Sequence, residues 1–310
     1  MREPLRYAVV RRYWRLQEEY LPTLIPLQYC SAIAVHGYAI NAASGEIVWK
    51  YPTAKRYLDA LATLKSRRQL LHRNSSIKVY FTLGGAREDS ANFSFVAAHD
   101  VPRSQLAQSV KREVHDTTKP WGEQLVDYHS TQGVNVDWNY PGDPCNQGTI
   151  TSSLFLRLIH ELKSYSVDVM ISVPPVKSRM RGYSLDLVAP ETFRAPAAQL
   201  GAPVLGAIQW NYHTRQPGRT SYASVCLERP VIRSRSHPQC LIVARQYGSQ
   251  NVHVATFADE QAMLERMNRT YSDQMAMAPV AVYDIDLDDF TGMCGNGMSP
   301  LIRAVAIGHA

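Results

Sequence analysis

The chain has 310 residues, 45% of them hydrophobic and 19% charged, the balance of a folded globular protein long enough for one large barrel or two ordinary domains. Its formal charge is +6, but the basic clusters Arg11-Arg12, Lys65 to Arg68, Lys111-Arg112 and Arg229 to Arg235 are scattered and lack interleaved aromatics, which argues against nucleic-acid binding. No stretch approaches the roughly 18 uninterrupted apolar residues of a membrane span, so no membrane partner is expected.

In chain order, short β-branched or aromatic runs alternate with longer stretches of helical periodicity. Strands are predicted near Tyr7 to Val10, Ala32 to Tyr38, Lys78 to Leu83, Val134 to Trp138, Asp168 to Val173, Val204 to Trp210, Val252 to Phe257 and Val280 to Ile285. Helices are predicted over Ala54 to Leu71, Ser104 to His129, Ser152 to Ser164 and Asp259 to Tyr271. This alternation predicts an α/β fold with a parallel sheet, and eight strands predict a closed (β/α)8 TIM barrel, a doubly wound open sheet being the alternative. Residues 215–239, rich in Arg, Ser and Pro, read as a surface excursion, and Cys240 to Ala244 competes with 252–257 for the seventh strand. With no internal repeat or low-complexity tract, residues 1–310 read as a single domain.

The cysteines Cys30, Cys145, Cys226, Cys240 and Cys294 contain no Cys-x-x-Cys, so no zinc site is expected, and no metal or cofactor is implied elsewhere. Their odd number leaves at least one thiol unpaired; Cys226 and Cys240, flanking a polar loop, form the easiest disulfide, with buried free thiols as the alternative. Sequons begin at Asn74, Asn92 and Asn268 and count weakly toward secretion. The segment Met1 to Arg6 has no apolar leader core, so either a leader is missing from this chain or the protein is not secreted by that route.

The most informative stretch runs from Gln132 to Gly142. Strand alternation puts Asn135, Asp137 and Asn139 on one face and Val134, Val136 and Trp138 on the other. Three polar side chains turned into a barrel are costly unless partnered, and polar residues climbing toward a strand's C-terminal end mark the place where such barrels build their sites. An edge strand with one wet face would show the same alternation.

Gln132 to Pro141 resembles the fourth-strand signature of family-18 glycoside hydrolases, the chitinases and chitinase-like lectins, which reads Asp-Gly-x-Asp-x-Asp-x-Glu and often continues Tyr-Pro. Lys78 to Gly85 resembles the family's Lys-x-x-x-Ser-x-Gly-Gly with Thr82 for Ser, Ile208 to Asn211 its Met-x-Tyr-Asp, and Val282 to Gly292 its eighth strand, with Tyr283 where Trp is common. The resemblance covers roughly residues 5 to 298. It implies a site in which the final Glu protonates the glycosidic oxygen while the substrate's acetamido carbonyl attacks the anomeric carbon, oriented by the preceding Asp. Here Asn139 holds the Glu position, Gln132, Asn135 and Asn211 hold Asp positions, and Asp137 alone matches.

A carboxamide cannot deliver a proton, yet it retains hydrogen-bonding capacity, and four carboxylates have changed in that one direction. The sequence therefore predicts a protein without ordinary hydrolytic activity that binds chitin or N-acetylglucosamine oligosaccharides through Asn135, Asp137, Asn139, Asn211, Trp210 and Tyr283. The two aromatics would serve as stacking platforms, with core packing as their alternative role, and Asp137 could equally be a structural carboxylate. Competing readings are an active chitinase with Asp143 as a replacement acid, and a secreted signalling or scaffold protein that does not bind sugar. The resemblance and the sequons together predict an extracellular protein.

Overall fold

The computed structural model describes residues 7–10, 20–30, 32–50, 78–115, 133–141, 152–173, 197–199, 202–205, 219–227, 231–233, 241–247, 251–271 and 280–309. Its strands are β1 (Tyr7–Val10), β2 (Ala32–Ile40), β3 (Ile47–Trp49), β4 (Lys78–Gly84), β5 (Gly133–Asp137), β6 (Asp168–Ile171), β7 (Ala197–Gln199), β8 (Ala202–Leu205), β9 (Arg219–Thr220), β10 (Val231–Arg233), β11 (Leu241–Tyr247), β12 (Asn251–Phe257) and β13 (Ala281–Tyr283). The helices are α1 (Ser90–Ala98), α2 (Asp100–His115), α3 (Ser152–Ser164), the single turn α4 (Tyr222–Val225), α5 (Glu260–Tyr271) and α6 (Pro300–His309). Two compact units result, one of residues 33–193 and one of residues 1–32 with 194–310.

In the first unit β2, β4, β5 and β6 lie side by side in the order β6-β5-β4-β2, with β3 folded back on β2. The β4–β5 and β5–β6 pairs are parallel, Thr82 opposite Asn135 and Asn135 opposite Met170. Val134, Val136 and Trp138 are fully buried. Trp138 stacks on Phe93 of α1 at 5.2 Å between ring centroids, lies 6.0 Å from Phe155 of α3, and donates its indole N–H to Ser90 Oγ at 2.8 Å. The apolar face of β5 therefore packs on helices, the register that alternation predicts. Helix α3 spans the predicted residues, and α2 carries Asp100 in its first turn and Arg112 and His115 in its last, complementing its dipole. Helix α1 was not expected. Phe93 and Val96 are buried while Phe95 is exposed, so its apolar residues make no clean stripe for periodicity to detect.

In the second unit β13 pairs in parallel with β1 on one side and β7 on the other. Separately, β10-β11-β12-β8-β9 form a wholly antiparallel sheet. This corrects two expectations. Val252–Phe257 is not a parallel seventh strand but half of a hairpin with β11, Leu241 opposite Phe257 and Tyr247 opposite Asn251. Only Gly248, Ser249 and Gln250 separate the two, far fewer than the dozen or so residues a parallel crossover needs. Of the predicted sixth strand, Val204 and Leu205 belong to β8, antiparallel to β12, and 206–210 lie outside the described residues. Within the predicted excursion at 215–239, β9, α4 and β10 belong to this sheet region. The predicted helix over 54–71 also lies outside the described residues.

A disulfide joins Cys226 to Cys294, so Cys226 does not pair with Cys240. It ties the end of α4 to a turn that Asp289 organises: its carboxylate accepts from Thr291 Oγ1 and the backbone N–H groups of Gly292, Met293 and Cys294. Cys30 is buried and free, and burial pushes its thiol up to about 12, which makes it inert as a nucleophile.

Candidate functional site

Three rungs of polar groups climb the face of β4, β5 and β6 turned away from Trp138. At the bottom, Tyr80 donates its hydroxyl to Asp168 Oδ2 at 2.7 Å, its ring crossing over Gly133. A Cβ at Gly133 would collide with the Asp168 carbonyl and stand 2.7 Å from Tyr80 Cε1, so the glycine makes this crossing possible. On the middle rung, Asn135 donates from Nδ2 to Thr82 Oγ1 at 3.1 Å and accepts at Oδ1 from Ser172 Oγ at 3.0 Å. An amide has both a donor and an acceptor end, and here each is used; a carboxylate could only accept.

The top rung holds Asp137, buried at the end of β5. Its carbonyl accepts from Gly85 N–H at 2.8 Å, and the carbonyl of Gly84 lies 2.5 Å from His36 Nε2 on β2. Gly84 and Gly85 have φ of +90° and +94°, a conformation that favours glycine. His36 is the site residue that sequence reasoning missed. The available signal was one histidine inside the otherwise apolar run Ala32 to Ile40, a buried polar group that requires a partner.

Of the predicted site residues, Asn135 and Asp137 share this ladder, and Asn139 lies half-buried two residues beyond the strand. Tyr283, half-buried at the end of β13, belongs to the second unit. Trp210 and Asn211, like Gln132 and Asp143, lie outside the described residues. At the eighth-strand exit the carboxylates of Asp288 and Asp289 serve architecture. Asp288 accepts from Asp289 N–H and from Leu301 and Ile302 N–H at the start of α6, while burial pushes its carboxyl up to about 6 against those three bonds. Among the described residues no group of His, Cys, Asp and Glu is assembled to hold a metal. Nor is any helix among the described residues long and apolar enough to cross a membrane. At the sequon of Asn92 the amide nitrogen donates to the Ile40 carbonyl at 2.9 Å within α1, so that group is engaged in packing.

Residues 9–193 match the family described as Glycosyl hydrolases family 18. The chain belongs to glycosyl hydrolase family 18. Its fold is the (β/α)8 TIM barrel of the family's chitinases. The structure is similar to catalytic domain 2 of the Ostrinia furnacalis Group II chitinase, with a TM-score of 0.72 and 15% identity over 99% of this chain and 96% of that one. It is similar to the Ostrinia furnacalis Group IV chitinase in complex with allosamidin, with a TM-score of 0.70 and 14% identity over 98% of each chain. Human YKL-39, described as a pseudo-chitinase with retained chitooligosaccharide binding properties, has a TM-score of 0.68 and 14% identity over 98% of this chain and 99% of that one. No curated protein sequence matches the chain.

Proposed function

We propose that this family-18 protein is a non-catalytic glycan-binding member that takes chitin or N-acetylglucosamine oligosaccharides at the C-terminal ends of its barrel strands. The observation that carries this reading is the satisfied, neutral middle rung Thr82–Asn135–Ser172 beneath a retained Asp137, with a carboxamide, Asn139, at the acid position. Asp137 supplies an acceptor for an acetamido N–H, whereas Asn139 has no proton to give to a glycosidic oxygen, a loss on the order of a hundred- to ten-thousand-fold in rate. The likeness to a pseudo-chitinase described as retaining chitooligosaccharide binding supports the same reading. We take residues 1–310 as one barrel domain, keep Trp210, Asn211 and Tyr283 as further candidate sugar contacts, and place the protein outside the cell, which the Cys226–Cys294 disulfide favours. The test is a calorimetric titration with N-acetylglucosamine oligomers beside a turnover assay on a chromogenic chitobiose substrate. Saturable binding without turnover supports the reading. Turnover would favour an active chitinase using another acid such as Asp143, and absence of binding would favour a scaffold role.

A further inference from the structure

One peptide group links His36 to Asp137. His36 Nε2 lies 2.5 Å from the Gly84 carbonyl oxygen, and because a carbonyl only accepts, that nitrogen carries a proton. The N–H of the same peptide unit, on Gly85, donates to the Asp137 carbonyl at 2.8 Å. The Gly84–Gly85 peptide is therefore clamped at its oxygen by β2 and at its nitrogen by β5. Packing leaves no room for a side chain at either glycine. A Cβ on Gly84 would stand 2.5 Å from Phe93 Cε2 and 2.7 Å from the Asp137 carbonyl oxygen. One on Gly85 would collide with His36 Nε2 and lie 3.2 Å from Asp137 Oδ2, so imidazole and carboxylate flank the same point.

We infer that His36 is a positioning residue for Asp137, acting through the Gly84–Gly85 peptide, and that its protonation tunes the affinity of the site for an N-acetylated sugar; the affinity half rests on the glycan-binding reading above. Since Nε2 keeps its proton in both charge states, titration takes place at Nδ1. It adds a positive charge beside Asp137 without breaking the clamp, and that charge competes for the carboxylate oxygens a sugar N–H would need. Among the described titratable groups on the elements around β2, Lys50 bonds Asp89, Tyr38 bonds Glu113 of α2, and Tyr80 bonds Asp168 at the far end of the ladder.

The experiment titrates the wild type, His36→Gln and His36→Leu with the N-acetylglucosamine tetramer between about pH 5 and 8, the range in which a histidine titrates. In parallel, the His36 imidazole is followed by NMR in the wild type and in Asp137→Asn. Glutamine offers an N–H to Gly84 but does not titrate; leucine offers neither. The wild type is expected to bind about threefold or more weakly at the acid end, as one added charge near the carboxylate implies. His36→Gln should bind within about threefold of the wild type at neutral pH with a flat profile, and His36→Leu should lose about tenfold or more throughout, the cost of an unpaired buried carbonyl. The His36 pKa should fall in Asp137→Asn, because an anion that stabilises the imidazolium has been removed. Wild-type binding by His36→Leu, a wild-type pH profile in His36→Gln, or an unmoved His36 pKa in Asp137→Asn overturns the inference. The NMR comparison needs no sugar: if the pKa falls while no protein binds the tetramer, the glycan reading fails and the coupling of His36 to Asp137 stands.

Discussion

Among the described residues, the buried polar groups beyond β13 and those along β5 are satisfied in opposite ways. Beyond β13, the carboxylates of Asp288 and Asp289 are occupied by backbone N–H groups that start α6 and shape the turn to Cys294. Along β5, the amide of Asn135 is held by two side chains, Thr82 and Ser172, from the neighbouring strands. A carboxylate only accepts, so a cluster of N–H donors suits it and uses it up. An amide between hydroxyls builds a neutral rung below Asp137, the buried carboxylate at the end of the strand that is proposed above to meet the sugar. Acidic residues at a strand end are thus no guide to chemistry until their partners are known.

The contrast can be strained from the apolar side first. Trp138→Ala removes the ring that holds β5 against Phe93 and Phe155, and the expected loss is about 3 to 5 kcal/mol in chemical denaturation. A loss under about 1 kcal/mol would mean that the tryptophan does not set the register of the ladder.

A smaller effect separates the two polar groups by pH. The folded carboxyl of Asp288 lies at about 6, above its ordinary 3.8, so its contribution to stability is present below the unfolded value and is lost as pH rises through the folded one. Stability is expected to fall by about 2 to 3 kcal/mol between roughly pH 4 and 6 in the wild type relative to Asp288→Asn, which does not titrate. Parallel pH profiles of the two proteins would show that the three N–H bonds outweigh burial.

Asn135→Ala, by contrast, should cost about 1 to 3 kcal/mol, because it removes both hydrogen bonds of the buried rung, and the cost should be the same at every pH. A pH-dependent cost would mean that the rung couples to a charged group and is not the neutral element described here.

The alternation of Val134 to Trp138 with Asn135 and Asp137 was legible because a two-residue period on one strand is a local signal, and Trp138 lies on the predicted side. The parallel order of β4, β5 and β6 was legible from the alternation of strands with helical stretches, and the paired glycines from the resemblance to the family's third-strand motif. What escaped was non-local. Nothing in the run Val252 to Phe257 distinguishes a barrel strand from a hairpin strand; the short link through Gly248 decides it. Cys226 lies nearer to Cys240 in sequence, but the turn that Asp289 organises brings Cys294 to it across 68 residues. His36 escaped because its role depends on the Gly84–Gly85 peptide, 48 residues away.

The central claim is that the polar ladder keeps its hydrogen bonds and has lost its acid chemistry as a unit. Release of chitobiose by Asn139→Glu, compared with a variant also carrying Asn135→Asp and Asn211→Asp, tests it most directly. A new glutamate needs a raised pKa to stay protonated near neutral pH, which enzymes obtain from burial and neighbouring charge, and Asn135 and Asn211 are neutral. Groups that act together recover little when one is restored. The account predicts negligible turnover by Asn139→Glu and more by the triple variant; equal turnover by the two would contradict it, since only the residue at position 139 would then separate this chain from an enzyme.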